Sequence, residues 1–161
     1  MAWDIALVED LRRTCAAEAA NSGVRVHVVV MHEPFLSLVI AGRKTVESRF
    51  SVTRRAPYRC VEPGDLMLLK KAGGPVVGFS TAGECQFLEL TPAVLQRLRG
   101  SYARLLCVED PAFWSSKERC RFATLVWLRD VTPLAPMWCG KKDRRGWVPI
   151  AGSRRDPVFL G

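Results

Sequence analysis

Long hydrophobic runs are missing from this sequence of 161 residues. The longest apolar stretch, Val26–Met31, is interrupted by His27 and falls far short of the roughly 20 residues that a membrane-spanning helix needs. Histidine is scarce, with two residues, and the six cysteines (Cys15, Cys60, Cys85, Cys107, Cys120 and Cys139) form no C-x-x-C pair and no zinc-type spacing. The expectation is therefore no metal site. No cofactor is expected either: Ala72-Gly73-Gly74-Pro75 lacks the lysine and the following helix of a phosphate-binding loop. Near the start, Asp4, Glu9 and Asp10 stand where a secretory signal would place a basic region and an unbroken apolar stretch. The expectation is a cytoplasmic protein whose cysteines are reduced and mostly buried. Disorder is excluded by a 48% hydrophobic content, enough to build one core at this length.

Positive charge is what the chain has in excess, with 24 Lys+Arg against 16 Asp+Glu and a net charge of +8. Its distribution is uneven. Residues 1–23 are acidic, with Asp4, Glu9, Asp10 and Glu18 outnumbering Arg12 and Arg13. The excess lies in two short segments. One holds Arg43, Lys44, Arg49, Arg54, Arg55 and Arg59 against Glu47; the other holds Lys141, Lys142, Arg144, Arg145, Arg154 and Arg155 against Asp143. Arginine outnumbers lysine 18 to 6, and its planar fork suits phosphates and base edges better than a point charge does. Such segments form either a solvated basic surface or the footprint of an anionic partner, nucleic acid first.

Residues 3–20 place Trp3, Leu7, Leu11 and Cys15 at four-residue steps, which predicts an amphipathic helix closing at Asn21-Ser22-Gly23. Val24–Met31 is β-branched and reads as a buried strand, with His27 structural. A helix is expected over Pro34–Ala41, and Thr45–Phe50 is extended. An arginine-rich loop covers Ser51–Cys60, and strands are expected at Leu66–Lys70 and Val76–Phe87, the second bent at Gly78 and Gly83. Thr91 caps a helix running to about Leu98, followed by irregular helical stretches over Tyr102–Val108 and beyond Asp110-Pro111. Phe122–Val131 is a strand, Thr132–Trp138 a proline-bearing connection, and Gly146–Ile150 a last strand after the basic Lys141–Arg145 loop. About six strands with helical insertions argue for an α+β chain built on a small, partly closed β-barrel.

The densest chemistry lies in Gly42-Arg43-Lys44-Thr45-Val46-Glu47-Ser48-Arg49. Glycine permits a sharp turn out of the helix, and in the extended stretch Thr45, Glu47 and Arg49 share a face, with Lys44 at the corner. A lysine, a carboxylate and an arginine facing one pocket perturb each other's protonation and present both donors and acceptors. The alternative is a surface ion pair beside a stray lysine.

The pattern G-x-K-x-x-E-x-R, formed by Gly42, Lys44, Glu47 and Arg49, resembles the signature of the ASCH domain, a branch of the PUA-like β-barrels. Its context is similar too: a strand ending in Met31-His32-Glu33-Pro34, a short helix, the motif, then Pro63-Gly64-Asp65 before a strand. The resemblance covers residues 24–150, leaving 1–23 as an extra N-terminal helix packed on the barrel and 151–161 as a tail. It implies a PUA-like barrel with flanking helices and a cleft lined by the motif, open to an RNA strand or a single nucleobase. Some ASCH proteins are described as enzymes, resembling N4-acetylcytidine amidohydrolases or acting as ribonucleases. In the amidohydrolases the motif lysine is held to be the base and a threonine the nucleophile; here Lys44 matches the lysine, and Glu47 occupies the threonine position.

Two functions follow from these residues. As a binding module for RNA, other single-stranded nucleic acid or a nucleotide, the chain would use Lys44, Arg49, Arg54 and Arg55 on one rim, and Lys141, Lys142, Arg144 and Arg145 on another. Glu47 would accept from an exocyclic amine or a ribose hydroxyl. Phe50, Tyr58, Trp138 and Trp147 are candidates for base stacking, with core packing the alternative for each. As a hydrolase on a nucleoside or RNA, it would use Lys44 as the base and Glu47 to orient water, with His32 close in sequence.

Overall fold

The computed structural model describes residues 23–138 and 144–151. The predicted helix over residues 3–20, the tail from 152, and Lys141 and Lys142 lie outside the described residues. Among the described residues, six strands and three helices follow one another as β1 (Val26–Met31), α1 (Phe35–Ile40), β2 (Val46–Ser51), β3 (Leu66–Lys71), β4 (Val76–Glu89), α2 (Pro92–Leu106), α3 (Pro111–Ser115), β5 (Phe122–Met137) and β6 (Trp147–Ala151). They form one sheet in the order β2-β5-β4-β3-β1-β6. Among the described residues only the β1–β3 pair is parallel; the other four pairings are antiparallel. The sheet curls into a half-barrel, so the α+β, partly closed barrel expected from the sequence is the fold of this chain. Among the described residues no helix is long and apolar enough to cross a membrane.

Period-two alternation explains why β1 is apolar throughout. Val29 and Met31 point into the barrel core with Leu36 and Val39 of α1, Met67, Leu69, Val126 and Trp147. Val26 and Val28 point the other way, onto Leu66, Leu68, Val76 and Val148. A strand covered on both faces needs apolar residues at every position. His27 is the exception, and it is fully buried. Trp147 Nε1 donates to His27 Nδ1 at 3.1 Å, and His27 Nε2 lies 2.9 Å from Asp65 Oδ2. Indole is a donor only, so Nδ1 accepts and the ring proton sits on Nε2, donated to the carboxylate. A third cluster packs α2 and α3 through Leu95, Leu98, Leu106 and Trp114 onto Val46, Ala123 and Leu125.

Two elements differ from the sequence expectation. The helix after Thr91 does not end near Leu98 but runs unbroken to Leu106, with Thr91 Oγ1 accepting from Val94 N–H. Its buried leucines carry it past Gly100, where no described residue presses on the helix surface. The Thr132–Trp138 connection is strand as far as Met137, despite Pro133 and Pro136. β2 covers β5 only over Phe122–Trp127, so the later residues form a sheet edge where a missing N–H is tolerated. Register shifts between Val76 and Gly78, and between Ala82 and Cys85, put the expected bends of β4 at Gly78 and Gly83.

Candidate nucleic-acid interface

The corner that presents Lys44 is built by one tight turn. Gly42 takes φ +72°, a left-handed conformation that disfavours any side chain, and the N–H groups of Arg43 and Lys44 both donate to Leu38 O. Lys44 is thereby folded inward and is 3% exposed. Its Nζ donates to Leu106 O at 2.8 Å, at the C-terminal end of α2, where the helix dipole favours a cation. The ammonium lies 5.4 Å from the Phe35 ring centroid and 3.6 Å from Glu47 Oε2. Burial pushes the Lys44 pKa down from its ordinary value, against the raising effect of the Glu47 charge.

Glu47 and Arg49 lie on the same face of β2, and Arg49 Nε donates to Glu47 Oε1 at 2.8 Å. The guanidinium then reaches across the barrel: Nη2 donates to Val30 O at 2.7 Å and Nη1 to Gly146 O at 3.2 Å. Its carbon sits 5.5 Å from the Trp147 ring centroid. Thr45 precedes the strand and is exposed.

Two cavities flank this arginine. The smaller, about 440 Å³, is lined by Lys44, Glu47, Arg49 and His32 on its polar side, and by aromatic rings including Phe35, Phe50 and Phe113. The larger, about 570 Å³, is lined by Arg55, Arg144 and Arg145 together with Ser51, Thr124, Trp147 and Pro149. Arg49 and Phe50 line both.

A model of the ASCH domain matches residues 29–135. The chain belongs to the ASCH domain family. Its fold is similar to the crystal structure of ASCH from Zymomonas mobilis, at 22% identity and a TM-score of 0.56, covering 70% of this chain and 72% of that one. A single-substitution variant of the same protein aligns at 21% identity and a TM-score of 0.58, covering 71% of this chain and 75% of that one. A search of curated proteins finds no match to the chain.

Within this ASCH domain the sequence-predicted residues divide into groups. His32, Lys44, Glu47 and Arg49 converge on the smaller cavity, with Gly42 at the turn that delivers Lys44. Arg55, Arg144 and Arg145 meet at the larger one, so the two basic segments come together there. Arg54 is not among the residues lining either cavity; it pairs with Glu89 at 2.9 Å on the surface. Of the aromatic candidates, Tyr58 is buried against Phe87 and Phe122, which removes its ring from stacking on a base, while Trp147, 2% exposed, borders the larger cavity from the core. Phe50 forms the shared wall, and Trp138 is 75% exposed. Sequence reasoning did not find Phe113 and Lys117. They reach the smaller cavity because Asp110 caps α3, its carboxylate accepting from Ala112 N–H at 2.9 Å. Lys117 then lies 4.8 Å from the Phe113 ring centroid and 5.7 Å from that of Phe50. The Asp110-Pro111 pair marked the helix start, but nothing local indicated which cavity it faces. Among the described residues no group of three His, Cys, Asp or Glu side chains gathers as metal ligands.

Proposed function

We propose that this ASCH domain binds RNA or a single modified nucleotide, with the phosphate backbone against the larger cavity and a base at the smaller one. The observation that carries the reading is the convergence of Arg55 with Arg144 and Arg145 around one 570 Å³ cavity, from segments far apart in the chain. Guanidinium groups gathered at one cleft attract a phosphate chain and hold it by charge-assisted hydrogen bonds. The adjoining cavity offers aromatic walls and the Glu47 carboxylate as an acceptor for base N–H groups. Lys141 and Lys142 belong to the same basic segment as Arg144 and Arg145, and a cytoplasmic setting goes with this reading. Fluorescence anisotropy with short single-stranded RNAs tests the reading. Binding that weakens steeply with salt and drops in Arg55→Ala and Arg144→Ala supports it; no binding, or binding indifferent to both, refutes it.

A second reading is favoured by one observation: a buried lysine with a lowered pKa stands 3.6 Å from a carboxylate at a cavity wall. That pair suits proton transfer in the hydrolysis of a modified nucleoside or RNA, with Lys44 taking a proton and Glu47 orienting water. Turnover of modified nucleosides or RNA that disappears in both Lys44→Ala and Glu47→Ala, with the fold intact by circular dichroism, supports it. Full activity in either variant ends it.

A further inference from the structure

We propose that Arg49 acts as a clasp across the open seam of the half-barrel, setting Arg144 and Arg145 at the rim of the larger cavity, and that it does not itself contact the ligand. It is a positioning residue, and the inference rests on the nucleic-acid reading above. The sheet ends in β2 at one edge and β6 at the other, so among the described residues no strand pairing closes the seam. Arg49 starts on the first edge and finishes on the second. Its fork donates to Val30 O on β1 and to Gly146 O immediately before β6, while Glu47 holds Nε from behind. Those three bonds use three of the five N–H donors of a guanidinium, and the Trp147 ring packs beside its plane. Gly146 makes the room: a Cβ there would come within 2.8 Å of Nη1. The residues gripped in this way, Gly146 and Trp147, directly follow Arg144 and Arg145 in the chain. The clasp therefore fixes the backbone one residue away from Arg145 and two away from Arg144.

A clasp, a direct ligand contact and a general part of the core each behave differently under substitution. In anisotropy titrations of the full chain with a short single-stranded RNA, Arg49→Lys and Arg49→Met should each weaken binding about tenfold, because a lysine cannot hold two carbonyls in a fork and the arginine-bearing segment regains freedom. Gly146→Ala keeps every charge but displaces the guanidinium, and should weaken binding by a similar factor. In an Arg144→Ala/Arg145→Ala background the Arg49 substitutions should change affinity by less than about twofold, since there is nothing left for the clasp to position. Wild-type affinity in Arg49→Lys, a silent Gly146→Ala, or a full additional loss in the double-alanine background overturns the proposal. If Arg49→Met unfolds, as judged by thermal melting, Gly146→Ala carries the test. Should the wild type bind no RNA, the nucleic-acid reading fails, and amide hydrogen exchange then judges the clasp by itself. Exchange over residues 144–147 should rise about tenfold in Arg49→Lys, and unchanged exchange overturns it.

Discussion

Raising the salt concentration measures how many cleft arginines a bound strand neutralises. Each phosphate contact on a single strand contributes about −0.7 to the slope of log affinity against log salt. Arg55, Arg144 and Arg145 line the larger cavity, so three contacts give a slope of about −2. Between about 50 and 200 mM salt this lowers affinity about 18-fold. Arg55→Ala removes one contact, and the same change in salt should then lower affinity only about 7-fold. Lys141 and Lys142, outside the described residues, would steepen both slopes without changing the difference between them. Anisotropy titrations at four salt concentrations, on wild type and Arg55→Ala in parallel, give the two slopes. A wild-type slope shallower than about −0.7, or the same slope in both proteins, would refute the placement of the phosphate chain along this cavity.

Three further outcomes concern single residues. Burial holds Lys44 below its ordinary pKa of 10.5, so between the lowered value and 10.5 the native chain binds fewer protons there than the unfolded chain. Stability from this group therefore rises with pH in that window. In urea denaturation at about pH 8 and about pH 10, the difference between wild type and Lys44→Met should move in favour of wild type at the higher pH; movement the other way contradicts the assignment. The Tyr58 hydroxyl is buried and has no hydrogen-bond partner among the described residues, so Tyr58→Phe should raise stability by about 1 kcal/mol, and a loss of stability would reveal a partner for that hydroxyl. At Gly78 a Cβ would lie 2.9 Å from both Ile40 Cδ1 and Thr132 O, and Gly78→Ala should lower unfolding free energy by about 1–3 kcal/mol; unchanged stability would mean that α1 packs less tightly on the sheet than these contacts require.

How much could be read without the structure depends on the range of each interaction. The turn at Gly42, the shared face of Glu47 and Arg49, the cap at Thr91 and the helix start at Asp110-Pro111 depend on residues within a few positions of one another. Local sterics and hydrogen bonding decide them, so spacing was enough. The buried character of β1 followed from its β-branched composition for the same reason. The length of β5 could not be read this way. Pro133 and Pro136 argue against a strand until the sheet order shows that β2 stops pairing at Trp127 and leaves them at an edge.

For the site, the sequence by itself determined which chemistry is available: a motif with a lysine, a carboxylate and an arginine, and two basic segments in an otherwise near-neutral body. Only the tertiary structure decided where that chemistry meets. It brought Arg55 to Arg144 and Arg145 at one cavity and turned Arg54 toward Glu89 at the surface. It aimed the Arg49 fork at a carbonyl 97 positions away and carried Phe113 and Lys117 to the smaller cavity. The physical reason is that side-chain spacing within a strand is set by the backbone itself. Contacts across a sheet are set by strand order and by which edges the curled sheet brings together, and no short window of residues contains that information.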